Sequence, residues 1–283
     1  MKRTLGVIGG SGIYDIPGLE AVEEHRVQTP FGEPSDCIVQ GRLGDTKLLF
    51  LPRHGRGHRI PPHAINYRAN LCALKQLGAR QVVSLSAVGS MREDIAPGHV
   101  VIVDQYIDLT KRRVATFFDE GAAAHVSFAD PVCPELAEAL ATAAGRAGGT
   151  VHRGGTYVCI EGPAFSTRAE SLLYRSWNVS VIGMTAMPEA KLAREAELPY
   201  ATLAFATDYD CWHVSEDAVS VEAVLAVLRA NADLGKRVVA ELARTLPDPS
   251  TSPASTALQD ALITAPAAMS PEVRARLAWL IDR

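Results

Sequence analysis

Residues 201–206 read Ala-Thr-Leu-Ala-Phe-Ala and are followed directly by Thr207-Asp208-Tyr209-Asp210. The apolar run has the length and composition of a buried β-strand. Ligands of open α/β sheets bind at the carboxyl ends of strands, and alternate residues of a strand point to the same side. Asp208 and Asp210 are therefore expected to face one crevice. A strand-end turn or a helix cap is the alternative interpretation of this Asp-x-Asp pattern.

Strands and amphipathic helices alternate along the rest of the chain. Short apolar or β-branched runs predict strands over 5–8, 47–51, 81–86, 99–103, 156–160, 179–184 and 200–206. Helices are predicted over 66–76, 134–147, 187–196 and 221–246. This alternation is typical of a single α/β domain, and we expect a central mixed, twisted β-sheet flanked by helices.

The proline-rich stretch 247–253, Pro-Asp-Pro-Ser-Thr-Ser-Pro, is a break in composition near the end of the chain. It predicts a main domain over 1–246, a stiff linker over 247–255 and a tail over 256–283. Within the tail, apolar spacing predicts short helices over 256–264 and 270–282. We expect this tail to dock on the main domain or on a neighbouring subunit.

Composition excludes several classes of partner. The chain has 283 residues, 47% of them hydrophobic, and a formal net charge of −4 without a basic stripe, so a nucleic-acid surface is not expected. No apolar run approaches membrane length and no secretion signal is recognised, which predicts no membrane partner and a cytoplasmic location. The five scattered cysteines lack a Cys-x-x-Cys pair and are expected to be reduced.

Small residues follow the first predicted strand in Gly9-Gly10-Ser11-Gly12. Backbone amides and the Ser11 hydroxyl could approach an oxyanion here, although a plain tight turn is an equal alternative. A dinucleotide fingerprint would need glycine where Asp15 stands, and a Walker loop would need Gly-Lys-Ser/Thr. A small anion fits the segment better than either nucleotide.

Arg53-His54 follows the strand predicted over 47–51. Arg53 offers a planar donor fork suited to phosphate, and His54 could add a second donor. A solvated surface loop is one alternative interpretation, and a metal site built from His54, His58 and His63 is another. The prolines at 61 and 62 break the helix that such spacing needs, and no acidic or cysteine ligand joins the cluster, so no metal site is predicted.

Two further strand ends carry small polar residues. Ser86-Ala87-Val88-Gly89-Ser90 can present a hydroxyl and backbone N–H groups to the same anion. After the strand predicted over 179–184, Thr185 could cap a helix or bind phosphate, and Met184 could pack beneath a ribose. Glu189 could reach ribose hydroxyls or favour the helix start. Convergence of these segments predicts an anion site.

Taken together, the motifs resemble the methylthioadenosine phosphorylase branch of the trimeric purine nucleoside phosphorylases. The resemblance covers about residues 4–245 and keeps a consistent order. Besides the segments above, it includes Asn66-Tyr67-Arg68-Ala69-Asn70, Glu161-Gly162-Pro163 and the stretch from Ala206 to Trp212. It implies a nucleoside phosphorylase fold that assembles as a homotrimer or a dimer of trimers.

The resemblance also implies a role for each site residue. The implied phosphate ligands are Ser11, Arg53, His54, Ser86, Ala87 and Thr185. Met184 would lie against the ribose, Phe165 near the base, and Asp208 and Asp210 at N7 and N6 of the purine. The implied alkylthio pocket consists of Val221, Val224 and Leu225 together with His125 of an adjacent subunit. Relatives that act on hypoxanthine carry asparagine at the first carboxylate position, so Asp208 favours a 6-aminopurine.

The reaction implied is phosphorolysis of methylthioadenosine to adenine and 5-methylthioribose 1-phosphate, with inorganic phosphate as co-substrate and no cofactor. Asp208 would donate a proton to N7, while bound phosphate would act as nucleophile and counter-charge to the ribosyl cation. Two enzymatic alternatives remain, a methylthioinosine phosphorylase and a broad-specificity purine nucleoside phosphorylase. A purine-binding protein without activity is a third, although it would not need the phosphate residues.

Overall fold

The computed structural model describes residues 3–10, 13–213 and 221–282, without the side chains of 221–226, 228 and 229. The strands are β1 (Arg3–Gly9), β2 (Glu20–His25), β3 (Ile38–Leu43), β4 (Thr46–Pro52), β5 (Gln81–Ser90), β6 (Val100–Ile102), β7 (Gln105–Asp108), β8 (Val151–Arg153), β9 (Thr156–Cys159), β10 (Val181–Gly183) and β11 (Tyr200–Tyr209). The helices are α1 (Tyr67–Gln76), α2 (Pro134–Arg146), α3 (Arg168–Ser176), α4 (Ala186–Glu195), α5 (Val221–Thr245) and α6 (Pro271–Ile281). Over these described ranges, no helix has both the length and the apolar character needed to cross a membrane.

The strands join in one mixed sheet with β5 at its centre. β5 runs parallel to β1 and β11, and its last residues pair antiparallel with β10. On one side β4 continues the parallel pairing, and β3 and β2 add antiparallel strands. On the other side β10, β9 and β7 are parallel to one another. The predicted α/β fold with a mixed central sheet is therefore confirmed.

Both faces of the sheet are buried because the apolar strands supply side chains to each. In β4, Leu48 and Phe50 belong to one core cluster, whereas Leu49 and Leu51 belong to the other. This is the period-two alternation of a strand. Helices α2 and α5 cover the first cluster, and α1 and α4 cover the second. Such two-sided burial holds the strand ends in fixed positions.

Several elements were not predicted from the sequence. They are β2, β3, β7 and β8 and the helix α3. α3 begins with a capping box. The Thr167 side chain accepts a hydrogen bond from the backbone N–H of Glu170, and the Glu170 side chain accepts one from the backbone N–H of Thr167. Only Ser171 and Tyr174 of this helix are buried, so it lacks the apolar stripe on which helix prediction depends.

The tail packs against the same chain. Leu277 and Leu280 of α6 are buried, and Trp279 meets the ring of Phe117 edge-on at 5.0 Å. The helix predicted over 256–264 is wrong, because residues 257–261 form successive turns and Leu262 then pairs with Ala124 in an isolated antiparallel bridge. Its Ala261 carbonyl accepts from the backbone of His125 at 2.8 Å. Partners from another segment satisfy the backbone here, which local spacing cannot reveal.

Candidate active site

The carboxyl-terminal parts of β5 and β11, together with the segments that follow β4 and β10, line one pocket with a volume of about 460 Å³. The predicted residues that line it are Arg53, His54, Ser86, Ala87, Phe165, Met184, Thr185, Asp208 and Asp210. The sheet brings them together because β11 pairs with β5 along these residues and β10 pairs with the last residues of β5. The structure thus assembles, from widely separated sequence positions, residues suited to an anion and residues suited to a base.

Five predicted residues are not placed in this pocket. Ser11 lies outside the described residues, as do the side chains of Val221, Val224 and Leu225. His125 is described and exposed, and it does not line the pocket of its own chain. Its expected role therefore depends on a neighbouring subunit.

The anion end of the pocket presents two hydroxyl groups. Ser86 Oγ lies 3.2 Å from Thr185 Oγ1, and both residues are buried. Gly183 precedes this cluster, and a Cβ at that position would lie only 2.0 Å from the Tyr157 hydroxyl. The absence of a side chain at 183 therefore lets β10 approach Tyr157 closely and brings Thr185 beside Ser86.

Arg53 is held in a buried network of acceptors. Its Nε and Nη2 donate to the two carboxylate oxygens of Glu189 at 2.8 and 3.0 Å. Nη2 also donates to Ser84 Oγ at 2.6 Å, and Nη1 donates to the Leu85 carbonyl at 3.2 Å. A guanidinium has five N–H donors, so one on Nη1 remains for an anion in the pocket. The donor fork expected to face phosphate instead binds Glu189.

Glu189 is fully buried and also accepts from the Tyr200 hydroxyl at 2.9 Å. It lies in the first turn of α4, as the helix-start interpretation expected, and it is not among the residues that line the pocket, so contact with ribose is not supported. Burial alone would lower the pKa of Arg53, but the Glu189 carboxylate more than offsets this and the net shift is upward. Glu189 thus favours the charged form of the Arg53 guanidinium, which lines the pocket.

His54 presents an acceptor to the pocket in its neutral form. Its Nδ1 lies 2.8 Å from the Ile60 carbonyl oxygen, which can only accept, so Nδ1 carries the hydrogen. Burial lowers the pKa of His54 to about 4, although the bond to Ile60 opposes this effect. The neutral ring therefore has an Nε2 lone pair suited to a protonated phosphate oxygen. The second donor expected from the sequence would require a protonated ring.

Acidification tests whether folding favours the neutral form of His54. Because folding favours the neutral ring, the stability from His54 is present above its ordinary pKa of 6.5 and is lost as pH falls towards 4. His54→Asn retains a side-chain donor for Ile60 but cannot titrate. We expect its free energy of unfolding, measured by urea denaturation, to depend less steeply on pH between 4 and 6.5. Equal slopes for the two proteins would show that folding does not lower the pKa of His54.

The carboxyl pair lies beyond an irregularity in β11. The pairing of β11 with β5 steps from Ala206 opposite Val88 to Asp208 opposite Gly89, so Thr207 is an extra residue. Such bulges re-aim the side chains that follow them. A Cβ on Gly89 would lie 3.1 Å from Asp208 Oδ1, so glycine at this position lets the carboxyl lie close over β5.

Hydroxyl groups bind both carboxyls on their Oδ2 atoms. Thr207 Oγ1 lies 2.6 Å from Oδ2 of Asp208, and the Ser171 hydroxyl donates to Oδ2 of Asp210. Ser171 is fully buried in the first turns of α3. Both carboxyls also line the pocket, which is an arrangement suited to two adjacent edge atoms of a purine.

Sequence reasoning missed three residues that shape the site, Thr207, Ser171 and Ser166, and it did not predict that Glu189 binds Arg53. Ser166 lines the pocket, and its Oγ is buried without a hydrogen-bond partner among the described residues. It follows Phe165, which is 84% exposed. The capping box at Thr167 was a readable signal for α3, and hence for Ser171.

A mixed α/β sheet that joins an anion-binding cradle to a carboxyl pair is the arrangement of a nucleoside-cleaving phosphorylase. The family model described as the phosphorylase superfamily matches residues 4–244, and the chain belongs to this superfamily. Within it, the chain belongs with the S-methyl-5'-thioadenosine phosphorylases. A protein of that name from Geobacter sulfurreducens is 55% identical over 282 residues, which cover 99% of each chain.

Solved structures agree with this placement. A methylthioadenosine phosphorylase sourced from an antarctic soil metagenomic library is 50% identical, with a TM-score of 0.94 over 99% of this chain and 100% of the other. The methylthioadenosine phosphorylase from Schistosoma mansoni, in complex with adenine, is 35% identical. Its TM-score is 0.85, and the match covers 92% of this chain and 99% of that one.

Proposed function

We propose that this protein catalyses the reversible phosphorolysis of S-methyl-5'-thioadenosine to adenine and 5-methylthioribose 1-phosphate. The observation that carries the proposal is one pocket with the hydroxyls of Ser86 and Thr185 and the Arg53 cation at one end and Asp208 and Asp210 at the other. The names of its relatives and the adenine bound to the Schistosoma mansoni protein support the same substrate class.

The reaction breaks the bond between C1′ of the ribose and N9 of adenine. Phosphate held by Arg53, Ser86 and Thr185 supplies the oxygen that bonds to C1′, and its negative charge stabilises the developing ribosyl cation. The bonding electrons leave with N9. Asp208 transfers its proton to N7, so that the base departs as neutral adenine. Asp210 accepts a hydrogen bond from the exocyclic amine, which favours 6-aminopurines over 6-oxopurines.

The remaining contacts complete the proposed binding mode. Met184 packs against the ribose and Phe165 against the base, while Ser11 and the backbone at Ala87 contribute to phosphate binding. Inorganic phosphate is the co-substrate, and the chemistry requires no metal or organic cofactor.

We propose a homotrimer, or a dimer of trimers, in which each subunit completes a neighbour's site. The exposed position of His125 supports this, since it lies away from the pocket of its own chain. In the assembly His125 would meet the 5′-alkylthio group beside Val221, Val224 and Leu225. The proposed place of action is the cytoplasm, in salvage of purines and of the methylthio group. Sedimentation velocity measures the assembly directly.

The test is turnover of methylthioadenosine, methylthioinosine, adenosine and inosine, each with and without phosphate. We expect adenine to form from methylthioadenosine only when phosphate is present, and faster than base release from the other nucleosides. Preference for methylthioinosine, or equal rates with adenosine and inosine, would instead favour one of the two alternative phosphorylases. Purine binding without product would indicate a binding protein.

A further inference from the structure

Thr207, the bulged residue of β11, has two acceptors for a single hydroxyl hydrogen. Its Oγ1 lies 2.6 Å from Asp208 Oδ2 and 3.2 Å from the Val88 carbonyl oxygen. A hydroxyl donates one hydrogen, so it can satisfy only one of these oxygens at a time. Thr207 lines the pocket, and its position is fixed because β11 pairs with β5 on both sides of the bulge.

The two acceptors differ in how the reaction changes them. The Val88 carbonyl is the same before and after the reaction. Asp208 Oδ2 belongs to a neutral carboxyl before proton transfer and to a carboxylate afterwards. Hydrogen bonds to ionised acceptors are roughly twice as strong as bonds between neutral groups. After the proton has moved to N7, the Thr207 hydroxyl therefore favours donation to Asp208 Oδ2 over donation to the Val88 carbonyl.

Ser171 makes a useful contrast on the other carboxyl. Its hydroxyl donates to Asp210 Oδ2, and no second acceptor of this hydroxyl is found among the described residues. Asp210 thus keeps the same donor throughout the reaction. Only the carboxyl proposed to lose a proton is served by a hydroxyl with an alternative acceptor.

We propose that Thr207 is a positioning residue whose hydroxyl strengthens its hydrogen bond to Asp208 Oδ2 as the acid proton moves from Asp208 to N7. The inference rests on the proposed function, in which Asp208 is the general acid. Because the bond is stronger in the transition state than in the ground state, it accelerates the chemical step more than it aids substrate binding.

The experiment compares Thr207→Val, which removes the hydroxyl at nearly constant shape, with Thr207→Ser, which retains it. We expect Thr207→Val to lower kcat for methylthioadenosine about 5-fold to 10-fold, which corresponds to the difference between a hydrogen bond to a charged group and one to a neutral group. The KM for phosphate should change less than about twofold. Thr207→Ser should recover most of kcat. Thr4→Val, in a buried part of β1 outside the pocket, is the matched control for losing a threonine hydroxyl.

A pH profile separates this role from a structural one. Asp208 must be protonated to act, and loss of the Thr207 donor makes its proton harder to remove. The alkaline limb of the pH profile of kcat should therefore move to higher pH in Thr207→Val. In Thr207→Ser it should lie at the same pH as in the unmodified protein. The other titratable side chains lining the pocket, Arg53, His54, His58 and Asp210, are unchanged in all variants.

A fall in kcat without movement of the alkaline limb, or without recovery by serine, would overturn the inference. So would parent-like kinetics in Thr207→Val. Absence of phosphate-dependent turnover in the unmodified protein would instead contradict the proposed function itself, so the two failures are distinguishable.

Discussion

Asp208→Asn is expected to slow adenine formation from methylthioadenosine by about 10²–10⁴-fold, the range typical of losing a general acid. An amide can donate a hydrogen bond to N7, but it cannot deliver a proton to the departing base. The phosphate end of the pocket is not altered, so the KM for phosphate should stay close to that of the unmodified protein. Steady-state kinetics with each substrate varied in turn measure both quantities.

The same variant should also change base preference. An asparagine can donate to, as well as accept from, the edge of the base, so activity towards methylthioinosine should fall less than activity towards methylthioadenosine. Asp45→Asn, in the exposed turn between β3 and β4, is the control for a lost carboxylate. If Asp208→Asn left both the rate and the preference ratio unchanged, the carboxyl would be structural only.

Arg53→Met is expected to produce the second large effect, on both stability and phosphate use. It leaves the fully buried Glu189 carboxylate without its cation, and removing one partner of a buried pair typically costs about 3–5 kcal/mol. It also removes the cation from the anion end, so the KM for phosphate should rise at least about tenfold. Urea unfolding and phosphate saturation curves provide the two measurements.

The double variant Arg53→Met with Glu189→Gln separates the two effects. A neutral glutamine needs no counter-charge and can still accept from Tyr200, so most of the lost stability should return. The phosphate defect should remain because the cation is still missing. A stable double variant with parent-like phosphate kinetics would exclude Arg53 from the phosphate site.

The strand ends could be predicted from sequence because their signals are local. The run 201–206 is apolar throughout, and Asp208 and Asp210 follow it directly, so the strand and the carboxyl pair were found together. The segments at Arg53, Ser86 and Thr185 were found for the same reason. In each case a buried strand ends in residues whose side chains have no role in packing the core.

The features that could not be predicted from the sequence depend on contacts between distant segments. Glu189 looks like an ordinary acidic residue near a helix start, yet its partner Arg53 is 136 positions away. The bulge at Thr207 leaves no pattern in β11 itself, since it is defined by pairing with β5. The 256–264 segment has helical spacing but binds residues 123–125. Local periodicity cannot distinguish these outcomes from the expected ones.

The packing of α6 limits the order in which the core can close during synthesis. Ile8 of β1 and Leu280 of α6 belong to the same core cluster. A ribosome releases β1 long before α6, so the cluster that contains Leu277 and Leu280 cannot close until α6 has emerged. The α2 and α5 side of the sheet can be covered earlier. A chain truncated just before α6 would therefore keep an open apolar face.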